Sequence, residues 1–430
     1  MTTRLQYSPL VFALVLAVSG PLLAQDTAWD DDWSEEEKSG LEWHGFIEGN
    51  YGSRLQNDPA LDGTNTTLGD LRLRLETSYD LGRAALSFKA DGWYDGVTRD
   101  FRANVRDLTL SMPISSAIDL KVGRQVLTWG TGDFLFINDQ FSKNWQAFFS
   151  GQADEYLKGA SNSIKTSWYK NNLSVNVVWT PIFAPDTYIN GERFSFFSPQ
   201  LGQNIAPIFT ATEPDKDLLH GELAARFQVQ KGSTEYALYG YRGYTGTPVA
   251  TSPLGAPTFS KTQTYGASIV RPLGKGLFNA EVGYQDNLPN QNTTFVKGQI
   301  KFLVGYEQEL VKNLTVSGQY YLEHMANYDN VVAAMVGSGI AGDLVPSKAR
   351  HLLTLRATYR SNQDNTVWSL FTFYSPSDKD IYLRPTVSHR LNDAWTYTMG
   401  ASFFFGKKNN SFFSQFKKST NAYIRLRYGF

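Results

Sequence analysis

Long runs in which apolar and polar residues alternate constrain this chain more than any other feature of its sequence. From Leu71 to Tyr79, apolar or aromatic residues occupy nearly every other position, and charged or polar residues lie between them. The same pattern recurs over 222–229, 314–323 and 395–403. Because successive side chains of a strand point to opposite faces, each run predicts a strand with one apolar and one polar face. The chain is therefore predicted to be nearly all β, with helices confined to loops.

The number and length of these runs favour a membrane protein. About eighteen runs are present, whereas strands of soluble sheets have roughly five or six residues and transmembrane strands need about 9–11. Short connections alternate with long ones such as 128–159 and 183–217. Outer-membrane barrels place short turns in the periplasm and long loops outside. The fold class predicted for 41–430 is a transmembrane antiparallel up-and-down β-barrel of eighteen strands, or sixteen if one hairpin is miscounted.

The N-terminal region has a different composition from the rest of the chain. Arg4 precedes an apolar stretch from Pro9 to Val18, which is too short to span a bilayer comfortably. Residues 1–24 are therefore predicted to be a signal peptide cleaved near Ala24. Residues 25–40 are rich in Asp and Glu and are predicted to form an acidic periplasmic segment, with a plug of the lumen as the alternative.

Composition excludes several classes of function. The chain has no cysteine, which excludes disulfides, Cys-ligated zinc, iron–sulfur clusters and covalently attached c-type haem. Its 40 basic and 41 acidic residues give a formal net charge of −1, so no global attraction to nucleic acid is expected. We accordingly predict no cofactor and no nucleic-acid partner.

The last ten residues carry the most specific motif of the chain. Residues 421–430 end in an aromatic residue, with apolar residues at alternate positions before it: Ile424, Leu426, Tyr428 and Phe430. This segment resembles the terminal strand by which Gram-negative outer-membrane proteins are recognised by their assembly machinery. The resemblance implies an outer-membrane location, with outer-membrane lipid and the barrel assembly machinery as partners.

Two internal segments resemble a more restricted group. Residues 122–130, Val-Gly-Arg-Gln-Val-Leu-Thr-Trp-Gly, and residues 179–185, Trp-Thr-Pro-Ile-Phe-Ala-Pro, are similar to segments of an uncharacterised proteobacterial family of outer-membrane barrels. Alginate-export barrels are a looser likeness. The resemblance implies an outer-membrane channel that works alongside a periplasmic or inner-membrane transport partner, without identifying a solute.

Basic residues on the polar faces define one candidate site. Strands at the two ends of the sheet must pair to close a barrel, which brings Arg425 and Arg427 near Arg72 and Arg74. A basic ladder on one wall of the lumen would select anions through guanidinium contacts. Alternatively, these arginines pair with acidic residues on neighbouring strands and only fix the register. The sequence leaves both interpretations open.

Aromatic and apolar loop residues define a second candidate site. They lie in loop 128–159 and in the apolar segment 331–345, and the gating candidates among them are Phe134, Phe136, Trp145, Phe148, Phe149 and Met335. Exposure of these residues to water would be costly. Either they pack on each other as a cap outside the barrel, or a loop folds into the lumen as a constriction.

Catalysis is not predicted. The five histidines lie on separate predicted strands, and the sequence has no Gly-x-Ser-x-Gly motif, so no catalytic residues are assigned. No metal site is assigned either, although His220 and Glu222 share a strand face. The predicted function is a porin-like channel for passive passage of small solutes. The alternatives are a loop-gated channel or exporter component for hydrophobic, aromatic or lipid-like solutes, and a structural sheath for a periplasmic electron-carrier partner.

Overall fold

The computed structural model describes residues 41–61, 65–251, 256–287 and 298–430. The predicted signal peptide and acidic segment lie outside these residues, so both stay predictions. Eighteen long antiparallel strands form one closed sheet, and the short strand Thr66–Leu68 also belongs to this sheet. In chain order they are β1 His44–Arg54, β2 Asp70–Asp80, β3 Ala85–Asp95, β4 Asp100–Ser115, β5 Ile118–Val126, β6 Ala160–Lys170, β7 Leu173–Thr180, β8 Glu222–Lys231, β9 Thr234–Tyr244, β10 Lys261–Leu273, β11 Gly276–Asn287, β12 Gln299–Val311, β13 Leu314–Met325, β14 Ala349–Ser361, β15 Thr366–Ser375, β16 Asp380–Arg390, β17 Trp395–Gly406 and β18 Asn421–Gly429.

The barrel closes between its first and last strands. Strand β1 pairs with β2 from His44↔Glu76 to Gly49↔Leu71, and it pairs on its other side with β18 from Phe46↔Gly429 to Arg54↔Asn421. Neither strand is therefore left with an open edge along these pairings. The prediction of a closed eighteen-stranded barrel is confirmed, and the alternative count of sixteen is wrong.

Connections at one end of the barrel are short. They have two residues at 116–117, 171–172, 232–233, 274–275 and 312–313, and four at 81–84, 362–365 and 391–394. Gly232 and Gly274 adopt positive φ angles of 60°, which the tight turns of two-residue hairpins require. Most connections at the other end are long, but 96–99 and 376–379 have only four residues.

Helices are confined to the long connections. They are α1, Trp145–Ser150, and α2, Tyr328–Gly337. Short 3₁₀ turns lie at Pro59–Leu61, Asp154–Leu157, Leu218–His220, Gly342–Leu344 and Ser414–Ser419. The apolar segment 331–345 is thus mostly helix α2 and one 3₁₀ turn. Within the described ranges, no helix has the length and apolar character needed to cross a bilayer.

The outer surface of the barrel is apolar. Side chains at alternate positions point outwards and are exposed, among them Ile47, Leu71, Leu238, Tyr265, Leu353 and Ile424. Residues one position away, such as Glu48, Arg72 and Ala237, are buried inside the barrel. A closed barrel with this pattern satisfies its backbone hydrogen bonds internally and presents apolar side chains to lipid.

A charge placed on the outer surface should destabilise the barrel. Leu238 is 59% exposed near the middle of β9, opposite the outward-facing Phe227. We expect Leu238→Lys to lower the free energy of unfolding in lipid vesicles by about 2–4 kcal/mol, because the ammonium group enters the hydrocarbon region. The matched control is Gln228→Lys, because Gln228 pairs with the buried Ala237 on the lumenal face. Equal losses for the two variants in urea titrations would contradict the assignment of faces.

Candidate functional site

Residues 127–159, between β5 and β6, fold into the barrel and contact several of its walls. We call this segment the lumenal loop. Its first part binds β11, where the backbone amides of Thr131 and Gly132 donate to Glu281 Oε1 and Asn138 Nδ2 donates to Glu281 Oε2 at 3.0 Å. Asn279, two residues before Glu281 on the same face, donates to the carbonyl oxygen of Thr131 at 3.1 Å. The buried Glu281 carboxylate is thus fully engaged by the loop.

Two glycines of the wall make room for the loop. Gly266 on β10 and Gly283 on β11 are direct cross-strand partners on the lumenal face. A Cβ atom at Gly283 would lie 2.5 Å from Ile137 Cγ2, and one at Gly266 would overlap the side chain of Asn138. Real Cβ atoms do not approach other atoms this closely, so the loop seats only because both positions lack a side chain.

The other end of the loop binds a basic wall. Glu155 accepts from Arg74, and the Tyr156 hydroxyl lies 2.8 Å from Arg74 Nη2. Arg106 on β4 donates to the carbonyl oxygen of Glu155 at 2.8 Å. Burial raises the pKa of Glu155, but Arg74, Arg427 and Arg106 together lower it more, and the net pKa is below the usual range. The loop therefore presents an ionised carboxylate to this wall at neutral pH.

A buried charge cluster stabilises the middle of the loop. The side chain of Asp139 is 1% exposed and binds the ammonium groups of Lys143, at 2.9 Å, and Lys158. Both ammonium groups also lie over the ring of Phe136, at 4.6 and 4.3 Å from its centroid. Burial alone would raise the pKa of Asp139, but Lys143 and Lys158 hold it below its usual range.

The aromatic gating candidates of this loop pack against the wall. Phe134 lies 4.9 Å from Phe371 between ring centroids, and Phe149 lies 5.6 Å from Tyr382. Together they belong to an aromatic cluster inside the barrel, which also holds Phe136, Trp145, Phe148, Phe194, Phe404, Phe413 and Phe416. Tyr382 and Phe194 are fully buried in it. The aromatic side chains of the loop and of the wall therefore form a shared core between the loop and the wall. Met335 lies apart from them, half-buried in helix α2.

Charged side chains lie along the solvent-accessible edge of the loop and bind arginines of the wall. Asp154 binds Arg384 Nη2 at 2.7 Å, and Asp133 binds Arg356. The side chain of Asp154 is 53% exposed and that of Glu155 is 37% exposed, so solvent reaches both. Burial raises the pKa of Asp133, which faces a less open part of the edge. The inserted loop thus turns an apolar side to one wall and a charged edge to the water-accessible interior.

The four arginines of the predicted basic ladder face the lumen on β2 and β18, the two strands that flank β1. Arg72 binds Asp70 at 3.2 Å, and Arg74 binds Asp91 at 2.7 Å; both side chains are at most 3% exposed. Arg427 binds Glu48 at 2.8 Å and Glu155 at 3.5 Å and is 30% exposed. Arg425 is half-buried and forms no ion pair with any described residue. Most of the ladder is therefore neutralised by carboxylates.

The remaining sequence-predicted residues lie away from the loop. Ile424, Leu426, Tyr428 and Phe430 are exposed on the outer surface, and the Phe430 amide donates to the carbonyl oxygen of Gly45 in β1. Among the described residues, one group of metal-ligand type gathers, Asp215, Asp217 and His220. Its Asp217 lies 2.6 Å from His220 Nδ1, and it is an exposed cluster at a loop end, apart from Glu222. The role of the last strand in assembly stays a prediction.

Comparison with known proteins supports the fold. No protein-family model and no curated protein matches the sequence. The chain is similar to Pseudomonas aeruginosa OccK11, with a TM-score of 0.53 and 9% identity, over 90% of this chain and 95% of that chain. It is also similar to Acinetobacter baumannii OccAB3, with a TM-score of 0.53 and 11% identity, over 91% and 99%. For Pseudomonas aeruginosa OccK5 the TM-score is 0.52 and the identity 8%, over 90% and 97%.

Fold and surface together locate the protein. A closed antiparallel barrel with an apolar outer surface is the architecture of Gram-negative outer-membrane proteins. The predicted outer-membrane location is confirmed, as is the resemblance to porin-like outer-membrane barrels. The narrower resemblance to one uncharacterised family stays a prediction, because no family model matches.

A side chain at Gly283 should unseat the loop. We expect Gly283→Val to displace Ile137, because no space exists for a Cβ substituent there. The chain has no cysteine, so a single Ile137→Cys substitution reports on the loop through labelling with a water-soluble maleimide. Ile137 is 1% exposed, so the introduced thiol should resist labelling by itself and react at least tenfold faster when Gly283→Val is added. Gly240→Val is the matched control, because a Cβ at Gly240 meets open space.

Loss of the Asp139 carboxylate should loosen the loop. In Asp139→Asn, the ammonium group of Lys143, 3% exposed, loses its carboxylate partner, and breaking such a buried ion pair costs about 3–5 kcal/mol. We expect hydrogen exchange of amides 137–150 to accelerate by at least tenfold. In the parent, the contribution of Asp139 is present above its unfolded pKa of about 3.9 and is lost only as the pH falls through the lower folded pKa. Loosening of the parent loop between pH 7 and 5 would contradict this assignment.

Proposed function

We propose that this protein is a passive outer-membrane channel for small hydrophilic solutes, which pass beside the charged edge of the lumenal loop. Eighteen strands enclose an interior wider than their own side chains can fill. The loop reduces this interior without removing solvent from Asp154 and Glu155. The observation that carries the proposal is that the loop has two different sides: its aromatic residues are packed against the wall, whereas the carboxylates of Asp154 and Glu155 face water.

The same sidedness argues against an apolar solute. A passage for hydrophobic or aromatic solutes requires aromatic side chains along it. Phe148 and Phe149 are 3% and 2% exposed, so neither offers a surface to a passing solute. The structural sheath is disfavoured as well, because the loop and its aromatic cluster occupy the interior that an electron-carrier partner would need. Passive passage requires no catalytic group, and we propose no enzymatic activity.

The charges at the passage set its proposed selectivity. Acidic groups on the loop, Asp133, Asp154 and Glu155, face Arg356, Arg384 and Arg427 on the wall. Fixed charges that line a pore favour ions of the opposite sign. Of the predicted basic ladder, we propose that Arg425 and Arg427 act on passing ions, because solvent reaches them. Arg72 and Arg74, which are buried in ion pairs, instead hold the register and the loop.

Planar bilayer recording under a salt gradient tests this proposal. The parent should give steady single-channel steps, whose reversal potential reports the ion preference. Asp154→Asn combined with Glu155→Gln removes two negative charges beside Arg384, Arg74 and Arg427, so the reversal potential should shift toward anions. Arg427→Gln should shift it toward cations, because Glu48 and Glu155 keep their charges.

The control for this experiment removes one Asp and one Glu carboxylate at positions away from the lumenal loop. Glu213→Gln combined with Asp343→Asn changes exposed residues of two other long connections, and we expect little effect on the reversal potential. Silence from protein verified as folded would overturn the proposed open channel. A conducting channel with equal selectivity in all variants would instead overturn the assignment of the passage to the loop edge.

A further inference from the structure

Two lysines face each other directly across neighbouring strands inside the barrel. Lys121 on β5 is the register partner of Lys165 on β6. Both lie on the lumenal face, because the next partner of Lys165 is Val178, which is 1% exposed and packed inside the barrel. Like charges at directly opposed positions destabilise a sheet. The pair is thus an electrostatic cost that the fold alone does not require.

Neighbouring acidic residues leave this pair only partly neutralised. Lys121 binds Asp107 at 3.4 Å, and the nearby Arg226 binds Glu235 at 2.7 Å. Lys165, in contrast, forms no ion pair and no side-chain hydrogen bond with any residue in the described part of the chain. Asp107 and Glu235 are therefore engaged by other cations, and the ammonium group of Lys165 has no carboxylate partner among the described residues.

The pair lines a cavity near the end of the barrel that carries the short turns. The cavity has a volume of about 540 Å³, and Ser111, Lys121, Lys165 and Ser167 line it together with Asp119. Asp119 lies opposite Ser167 in the register and binds neither lysine. Ser111 on β4 is the register partner of Lys121 on β5. The three adjacent strands β4, β5 and β6 therefore place Ser111, Lys121 and Lys165 in one row. Two ammonium groups and the Ser111 hydroxyl supply donors that an oxyanion accepts from, whereas the Ser167 hydroxyl already donates to Asn176 Oδ1 at 2.7 Å.

We propose that Lys121 and Lys165, with the hydroxyl of Ser111, bind a small oxyanion in the lumen, such as inorganic phosphate. This proposal deepens the proposed channel function by naming a solute class, and it rests on that function for the path by which the anion arrives. A bound anion relieves the repulsion between the two ammonium groups, so the directly opposed lysines are explained as ligands of the anion. The site lies on the wall formed by β4–β6, apart from Arg425 and Arg427 on β18.

Calorimetric titration of inorganic phosphate into the folded full-length protein in detergent, in chloride-free buffer, tests the site. The parent should bind phosphate, and Lys165→Gln should weaken binding at least fivefold. Lys165→Glu should abolish binding while raising the melting temperature, because the new carboxylate and the ammonium group of Lys121 form an opposite-charge pair at the same positions. Loss of binding in this variant therefore cannot be attributed to misfolding. Lys231→Gln, which removes an exposed lysine one position beyond the lumenal Gln230, should bind as the parent does.

Two outcomes would overturn the site: no phosphate binding by the folded parent, or equal affinity in the parent and in Lys165→Glu. Conductance is measured separately, with phosphate added to a chloride current. A block of the current that Lys165→Glu relieves places the site in the passage. Phosphate binding by a protein that conducts no current would refute the proposed channel and leave the anion site standing, so the two failures are distinguishable.

Discussion

The need to satisfy every backbone hydrogen bond within lipid governs the rest of this structure. Strand β1 meets this need by pairing with β2 and β18 at once, which closes the sheet. Closure at eighteen strands fixes an interior too wide for wall side chains alone to fill. That interior must then hold water, additional chain or both. The lumenal loop, the buried arginine pairs and the polar lining are consequences of this one geometric constraint.

The loop has different chemistry on its different sides, and this decides what the interior can do. Its apolar side packs on Phe371 and Tyr382, while its first residues are held by Glu281 over the notch formed by Gly266 and Gly283. These contacts come from several strands, so the loop is held at more than one point along its length. The loop behaves as a built part of the wall rather than as a free lid. A fixed constriction suits passage that depends on solute size and charge.

Alternation along the sequence predicts the strands because side-chain direction depends only on local geometry. It assigns Arg72 and Arg74 to a polar face, and both side chains lie inside the barrel. The alternating run 222–229 lies in β8, which begins at Glu222, after the 3₁₀ turn Leu218–His220 that Asp217 caps. The seat of the loop could not be predicted in this way. Glu281 binds Thr131 from 150 positions away, and a glycine on a polar face has no periodic signal. Such contacts depend on which walls the barrel brings together.

The net charge of each lumenal wall also depends on contacts between residues that are distant in the sequence. The lumenal direction of a basic residue is local, whereas its neutralisation depends on carboxylates that arrive from other strands or from the loop. Arg74 meets both Asp91 and Glu155, and Arg384 meets Asp154, so these guanidinium groups are compensated. No loop carboxylate in the described ranges reaches Lys165. The number of basic residues on a wall is therefore a poor guide to its potential, which is set by the few cations that the loop leaves without a partner.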